Sequence, residues 1–326
     1  MLGSIQGFAM RDESDHVPLP TPGEAASPTL RPESLGGLWR HARWVRAGGV
    51  LVGMIVAILV LPWVLGVTPD ALSENQWASP SWKHWLGTDA NGRDLLARVC
   101  DGARVSWVVG LAGSLVSLVI GVSWGAVAGY LGGRWDGAMM RVVDVLYSMP
   151  SILFVIVLVT TFQGPVVGFL ESVAGRRGGE AAPVLFLVVG LGGVSWLTMA
   201  RIVRGQVLSL RQRPFIEAAR ALGASHARLI LRHLLPNTMG VILVYLTLTI
   251  PAIVLGESFL SFLGLGVQPP QASLGSLLAD GAGQINPLRT SWTALAGPGG
   301  VLVAFLLVLG VFGDGLRDAL DPRRRD

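Results

Sequence analysis

Residues Glu217–Pro236 read EAARALGASHARLILRHLLP, a charged, helix-forming stretch beside the uncharged apolar runs 181–200 and 234–256. Pro214 suits a first helical turn, where a missing amide proton costs nothing. The good helix formers of PFIEAARAL follow, and Gly223 suits a C-terminal stop. Ser225 can cap a second helix, HARLILRHLL, which Pro236 is expected to end. Phe215, Ala218, Ala219 and Leu222 recur at the spacing of one helical face. Glu217 falls in the first turn, where the helix dipole favours an acid. The segment therefore predicts helix, glycine turn, helix within the connection 204–238.

Working outward, further charge-free runs cover 47–67, 105–133, 145–170 and 290–313, and with the two runs above they make six. Each is about 20 residues or longer, enough to cross roughly 30 Å of hydrocarbon as a helix. The chain is 51% apolar and 14% charged, with mean hydropathy +0.57. The expected fold class is an all-α polytopic membrane protein with six transmembrane helices. Residues 258–279 are also uncharged, but Gly264, Gly266, Pro269 and Pro270 predict a loop. Six spans place both termini on one side, together with 131–141 and 201–238. That side holds 18 of the 25 Lys and Arg residues, so it is expected to be cytoplasmic.

The expected organisation is a disordered cytoplasmic tail at 1–45, a first span at 46–67, an extracytoplasmic loop at 68–103, a core of five spans at 104–316 and a tail at 317–326. The N-terminal segment lacks the apolar stretch of a signal peptide, so the first span is expected to act as an uncleaved anchor. A basic balance of +4 fits arginines flanking membrane spans more simply than it fits nucleic acid.

The residues exclude several chemistries. The one cysteine, Cys100, can form neither an internal disulfide nor a cysteine zinc site, and the five histidines contain no HExxH pair. No metal, cofactor or catalytic residue is expected. The one lysine, Lys83, precedes His84, so the chain has no Walker A loop. Gly113, Ser117, Gly121, Gly125, Gly129 and Gly133 recur every four residues and form a small-residue ridge. Gly121, Gly125 and Gly129 predict close helix packing, inside the subunit or with a partner. Pro150 should interrupt the third span. Asp144, near Arg141, and Glu257, near the end of the fifth span, are candidate pathway or partner contacts, or else a paired helix-end acid and a hydrated interfacial acid.

The 204–238 segment has two physical readings, an amphipathic helix lying among lipid headgroups and a helix docked into a cytoplasmic partner. Its residues resemble the EAA loop of permease subunits from bacterial ABC importers, with Glu217, Ala218, Ala219, Gly223, Leu235 and Pro236 in place and His233 where the pattern has isoleucine. LGTDANGRDLLARV, AGYLGGRWDGAMMRVVDVLYSMPSIL, SFLGLGVQPP and GDGLRDALDPR resemble the C-type permeases of dipeptide and oligopeptide importers, from about Trp85 to Arg323. Leu274 stands where that family often has a tryptophan before the glycine.

The resemblance implies a type I ABC importer permease fold and no ATPase site in this chain. It also implies a second homologous permease, two ATP-binding subunits that hold ATP and magnesium, and an extracytoplasmic substrate-binding protein. Glu217, Ala218, Ala219, Arg220 and Gly223 would be the coupling residues, Arg220 facing an ATPase acid, and the substrate would be a peptide, a nickel chelate or another small solute. A rival from another class is a secondary transporter or channel with Asp144 and Glu257 as ion or proton sites; a third is a membrane scaffold without transport.

Overall fold

A computed structural model describes residues 33–284 and 292–320. Helix α1 spans Glu33–Val64, α2 Leu95–Leu131, α3 Gly133–Tyr147 and α4 Ser151–Leu210. The short α5 (Pro214–Ala221) and α6 (His226–Arg228) follow, then α7 (Leu235–Phe262), α8 (Leu274–Gly283) and α9 (Trp292–Leu320). From Arg40 onward the chain forms one unit, and the start of α1 to Trp39 falls in the other. Six candidate membrane spans lie in these helices: Val45–Val64, Leu95–Leu131, Ser151–Arg176, Ala181–Leu210, His226–Phe262 and Trp292–Leu320.

Several boundaries differ from the sequence expectation. α1 begins at Glu33, inside the segment expected to be tail; residues 1–32 and 321–326 lie outside the described residues. α2 begins at Leu95 rather than near 105 and carries Arg98, Asp101 and Arg104 as helical residues. Arg104 can sit there because Pro62 of α1 leaves the Ile58 carbonyl without its helical donor. The Arg104 guanidinium donates to the Ile58 and Leu59 carbonyls at 3.0 and 2.9 Å.

Pro150 separates α3 from α4, as the sequence predicts. Helix runs on from the expected span at 145–170 to the one at 181–200, broken only by Gly175 at φ +65°. Where a loop is predicted at 258–279, α7 continues to Phe262 and α8 starts at Leu274, capped by Ser273. Pro236 does not end its helix. Its ring would strike the carbonyl of residue 232, and the chain avoids this by widening the preceding turn into a π-helix over Leu229–Leu234. Leu235 N–H then bonds the Ile230 carbonyl, five residues back, and the helix passes through.

The core is layered along α2. Trp107 stacks on Phe305 with centroids 4.3 Å apart, joining α2 to α9, and Val99, Ala103, Val254, Leu274 and Leu277 close around them. Farther along, α2 lies against the second half of α4. A Cβ on Gly121 would stand 2.6 Å from Met199 Cβ, and one on Gly125 would stand 2.4 Å from the Ala200 carbonyl oxygen. The small-residue ridge is thus an internal seam, close enough that backbone meets backbone. Gly133 falls outside it, because α2 ends at Leu131 and Gly133 begins α3.

Candidate functional site

The α4–α7 connection is a helix–turn–helix whose parts follow from its residues. Arg213 takes extended backbone as the N-cap, Pro214 starts α5, and Glu217 lies in the first turn. Gly223 turns the chain at φ +82°. A Cβ there would meet no atom within 4 Å, so it is the left-handed backbone, and not space, that calls for glycine. Gly223 N–H bonds the Arg220 carbonyl and Ala224 N–H the Ala219 carbonyl, closing the end of α5. Ser225 Oγ then accepts from Arg228 N–H as the N-cap of the second helix.

The face drawn from sequence periodicity divides. Ile216 is the fully buried residue of α5; with Ala219 beside it, it packs on Leu229, Leu234 and Val207. Phe215, 43% exposed, and Leu222, 88% exposed, project outward with Glu217, Ala218 and Arg220. A short helix held by one buried anchor thus presents an exposed, mixed apolar and charged surface. Between it and the end of α2 opens a cavity of about 670 Å³ lined by Tyr130, Arg211, Gln212, Glu217, Arg220 and His226 among others.

The other sequence candidates lie elsewhere. Asp144 pairs with Arg201 of α4, not with Arg141: the two side chains meet at 2.7 Å, and Arg201 also sits 4.2 Å over the Tyr147 ring. Glu257 is neither a hydrated interfacial acid nor a residue exposed to a pathway in this chain. It is fully buried, and both its oxygens are engaged: Ser106 donates to one at 2.7 Å and Ser261 to the other at 2.7 Å. Ser106 in turn accepts from Leu274 N–H, and Ser261 from Val267 N–H. One carboxyl group therefore fastens both ends of the α7–α8 connection to α2.

Two clusters carry no local sequence signal. Asp136 of α3 takes a two-pronged ion pair from Arg204 of α4, 68 residues away, one prong at 2.6 Å. Before α2, Asp89 accepts from the amides of Asn91 and Arg93 and from the side chains of Arg93 and Arg98, each at 2.8–2.9 Å. Burial raises the pKa of its carboxyl, but these amides and the Arg93 guanidinium outweigh that and hold it below the ordinary 3.8. Asp94 next to it caps α2 through Ala97 N–H and meets His84 Nδ1 at 2.8 Å.

The family model described as binding-protein-dependent transport system inner membrane component matches residues 121–326. The oligopeptide transport system permease protein OppC of Haemophilus influenzae is 42% identical over 85% of this chain and 83% of its own length. The protein of the same description from Escherichia coli K12 is 42% identical over 88% and 92%. The dipeptide transport system permease protein DppC of Bacillus subtilis is 41% identical over 85% and 80%. A solved inward-facing structure of the MetNI methionine ABC transporter aligns with TM-score 0.46 and 21% identity, over 70% of this chain and 96% of that one.

Proposed function

The chain belongs to the binding-protein-dependent transport system inner membrane components, and from that premise we propose that it is the membrane-spanning permease of an ATP-driven peptide importer, gripped by an ATPase subunit at α5. The observation that carries this is the outward face of α5. Phe215 and Leu222 stand in the open beside Glu217 and Arg220, on a helix that a single buried residue, Ile216, fixes in place. Exposed apolar side chains ringed by charge mark a protein-binding surface. A helix laid into a partner's groove is a recurrent way to use one.

In this reading Ala218 lets the partner approach closely, Ala219 lets α5 sit close on its own core, Gly223 makes the turn, and Arg220 faces an ATPase acid. Two ATP-binding subunits, which hold ATP and magnesium, would close on hydrolysis-competent ATP and drag two such helices. One belongs to this chain and one to a second, homologous permease. An extracytoplasmic binding protein would deliver the peptide, and the excess of positive residues puts both termini and α5 on the cytoplasmic side. The relatives transport peptides by name, and the chain matches them over most of its length. The ion-site alternative loses its residues: Asp144 is neutralised by Arg201, and Glu257 is enclosed by serines.

The test is uptake by the full complex reconstituted in liposomes. Glu217→Arg, or Gly223→Leu, should abolish ATP-dependent peptide uptake while the chain still inserts and pairs with the second permease. Uptake at the parental rate in Glu217→Arg would show that α5 is not the coupling element. Ligand binding by the partner binding protein identifies the peptide class.

A further inference from the structure

α4 and α7 are covalently joined to the α5 segment, so any pull on α5 reaches them along the chain. α2 has no such connection. Its link to the segment is made by side chains at the end where Tyr130 and Leu131 finish the helix. The last carbonyls of a helix lack intrahelical partners. Gly132 N–H takes the Ala128 carbonyl, and the Arg211 guanidinium takes those of Tyr130 and Gly129, at 3.1 and 3.4 Å. Gly132 has φ +65°, and a Cβ there would stand 2.2 Å from an Arg211 nitrogen, so glycine leaves the opening through which the guanidinium enters.

On the other side of α5, the Tyr130 hydroxyl hydrogen-bonds His226 Nδ1, with the rings edge to face at 5.6 Å. Arg211 precedes Pro214 and His226 follows Gly223. Both flanks of the docking segment therefore grip the same end of α2.

The rest of α2 is placed to pass movement on. The helix has 37 residues, a rod of about 55 Å. The ridge holds it laterally against α4, and its far part carries Ser106, which bonds Glu257 and the first amide of α8. We propose that the strap formed by Tyr130, His226 and Arg211 draws α2 along with the docking segment, so that ATP-driven movement reaches α8 at the opposite end. Tyr130 and His226 are positioning residues: they touch neither substrate nor nucleotide. This rests on the importer assignment of the preceding subsection.

The experiment measures peptide imported per ATP hydrolysed in the reconstituted complex, with liganded binding protein. Tyr130→Phe removes one hydroxyl and should leave assembly and stimulated ATP hydrolysis intact. The transport-to-hydrolysis ratio should fall about fivefold, the change expected when one hydrogen bond is lost from a two-state linkage. His226→Leu should do the same, and the double variant should be no worse than either single one. His226→Asn, which keeps a hydrogen-bonding atom near Nδ1, should restore most of the ratio. An unchanged ratio in Tyr130→Phe, additive losses in the double variant, or a complex that falls apart overturns the proposal; the last would make the contact one of assembly. A parental complex that imports nothing would instead sink the importer assignment itself.

Discussion

The two ends of α2 are built on opposite plans. At the α8 end three carboxylates are turned inward and matched. Asp89 collects four donors, Asp94 caps the helix, and Glu257 spreads its oxygens over serines that hold backbone amides. At the α5 end, α5 itself buries one residue fully, Ile216, with Ala219 packed beside it, and its other side chains are open. The first end satisfies its acids within the chain. On the proposed function the second is completed by a partner, and the difference separates stability from assembly: damage to the α8 end should unfold the subunit, and damage to the face of α5 should leave it folded and without that partner.

The largest effect is expected at the closed end. Glu257→Ala leaves the buried hydroxyls of Ser106 and Ser261 without their acceptor, at about 1–3 kcal/mol for each unsatisfied group. Thermal unfolding in detergent should show a loss of about 3 kcal/mol, and Glu257→Gln, which keeps an acceptor, less than half of that. Uptake should survive Glu257→Gln. Loss of uptake with unchanged stability would return Glu257 to the list of ion sites.

Next in size is Gly132→Ala. At φ +65° and ψ −170° the backbone lies in a region nearly reserved for glycine, which costs a residue with a Cβ about 1–3 kcal/mol, and the methyl group must also displace the Arg211 guanidinium. A drop of about 2 kcal/mol in thermal unfolding is expected, with peptide imported per ATP reduced as well. If stability falls and that ratio does not, the comparison stands and the strap across α5 fails.

The α8 end should also be the acid-sensitive one. The Asp89 carboxyl is held below 3.8, so its contribution to stability is fully present above that pH. It is lost as the pH falls through the lowered value, when the proton displaces the bonds to Arg93 and Arg98. Unfolding temperature should therefore drop more steeply in that acid window for the parent than for Asp89→Asn, which has no proton to take up. Equal slopes would mean that other carboxylates govern the acid limb.

Much of this was legible in the sequence because the bilayer imposes a single rule, a long run without charge. That rule finds the six spans, and a spacing of four finds the seam through Gly121, Gly125 and Gly129. It fails where charge is carried inside a helix by a distant partner. Arg104 is accommodated by two α1 carbonyls, that of Ile58 freed by Pro62, so α2 starts earlier than charge counting allows. Glycine and proline misled at 258–279, where the Ser273 cap starts a helix after the break. Pro236 misled because the correction is a wider turn, which composition does not show. Glu217 and Gly223 could be singled out from local chemistry and resemblance. Tyr130, Asp136 and Arg204 could not, since each acts through a residue many turns away.

The smallest expected effect on stability is at the open end. Leu222 is 88% exposed, on the turn after α5, and its side chain leaves the free subunit almost nothing to lose. Leu222→Ser should shift the unfolding free energy of the isolated chain by no more than about 0.5 kcal/mol, the range of ordinary surface substitutions. The same change removes an apolar anchor from a surface whose partner must cover it, so retention of the ATPase subunits during purification should fall markedly. Normal stability with a lost partner is the signature of a face built for another protein. Lost stability with the partner retained would mean that the α5 end, too, is completed from within, and the contrast between the two ends of α2 would be gone.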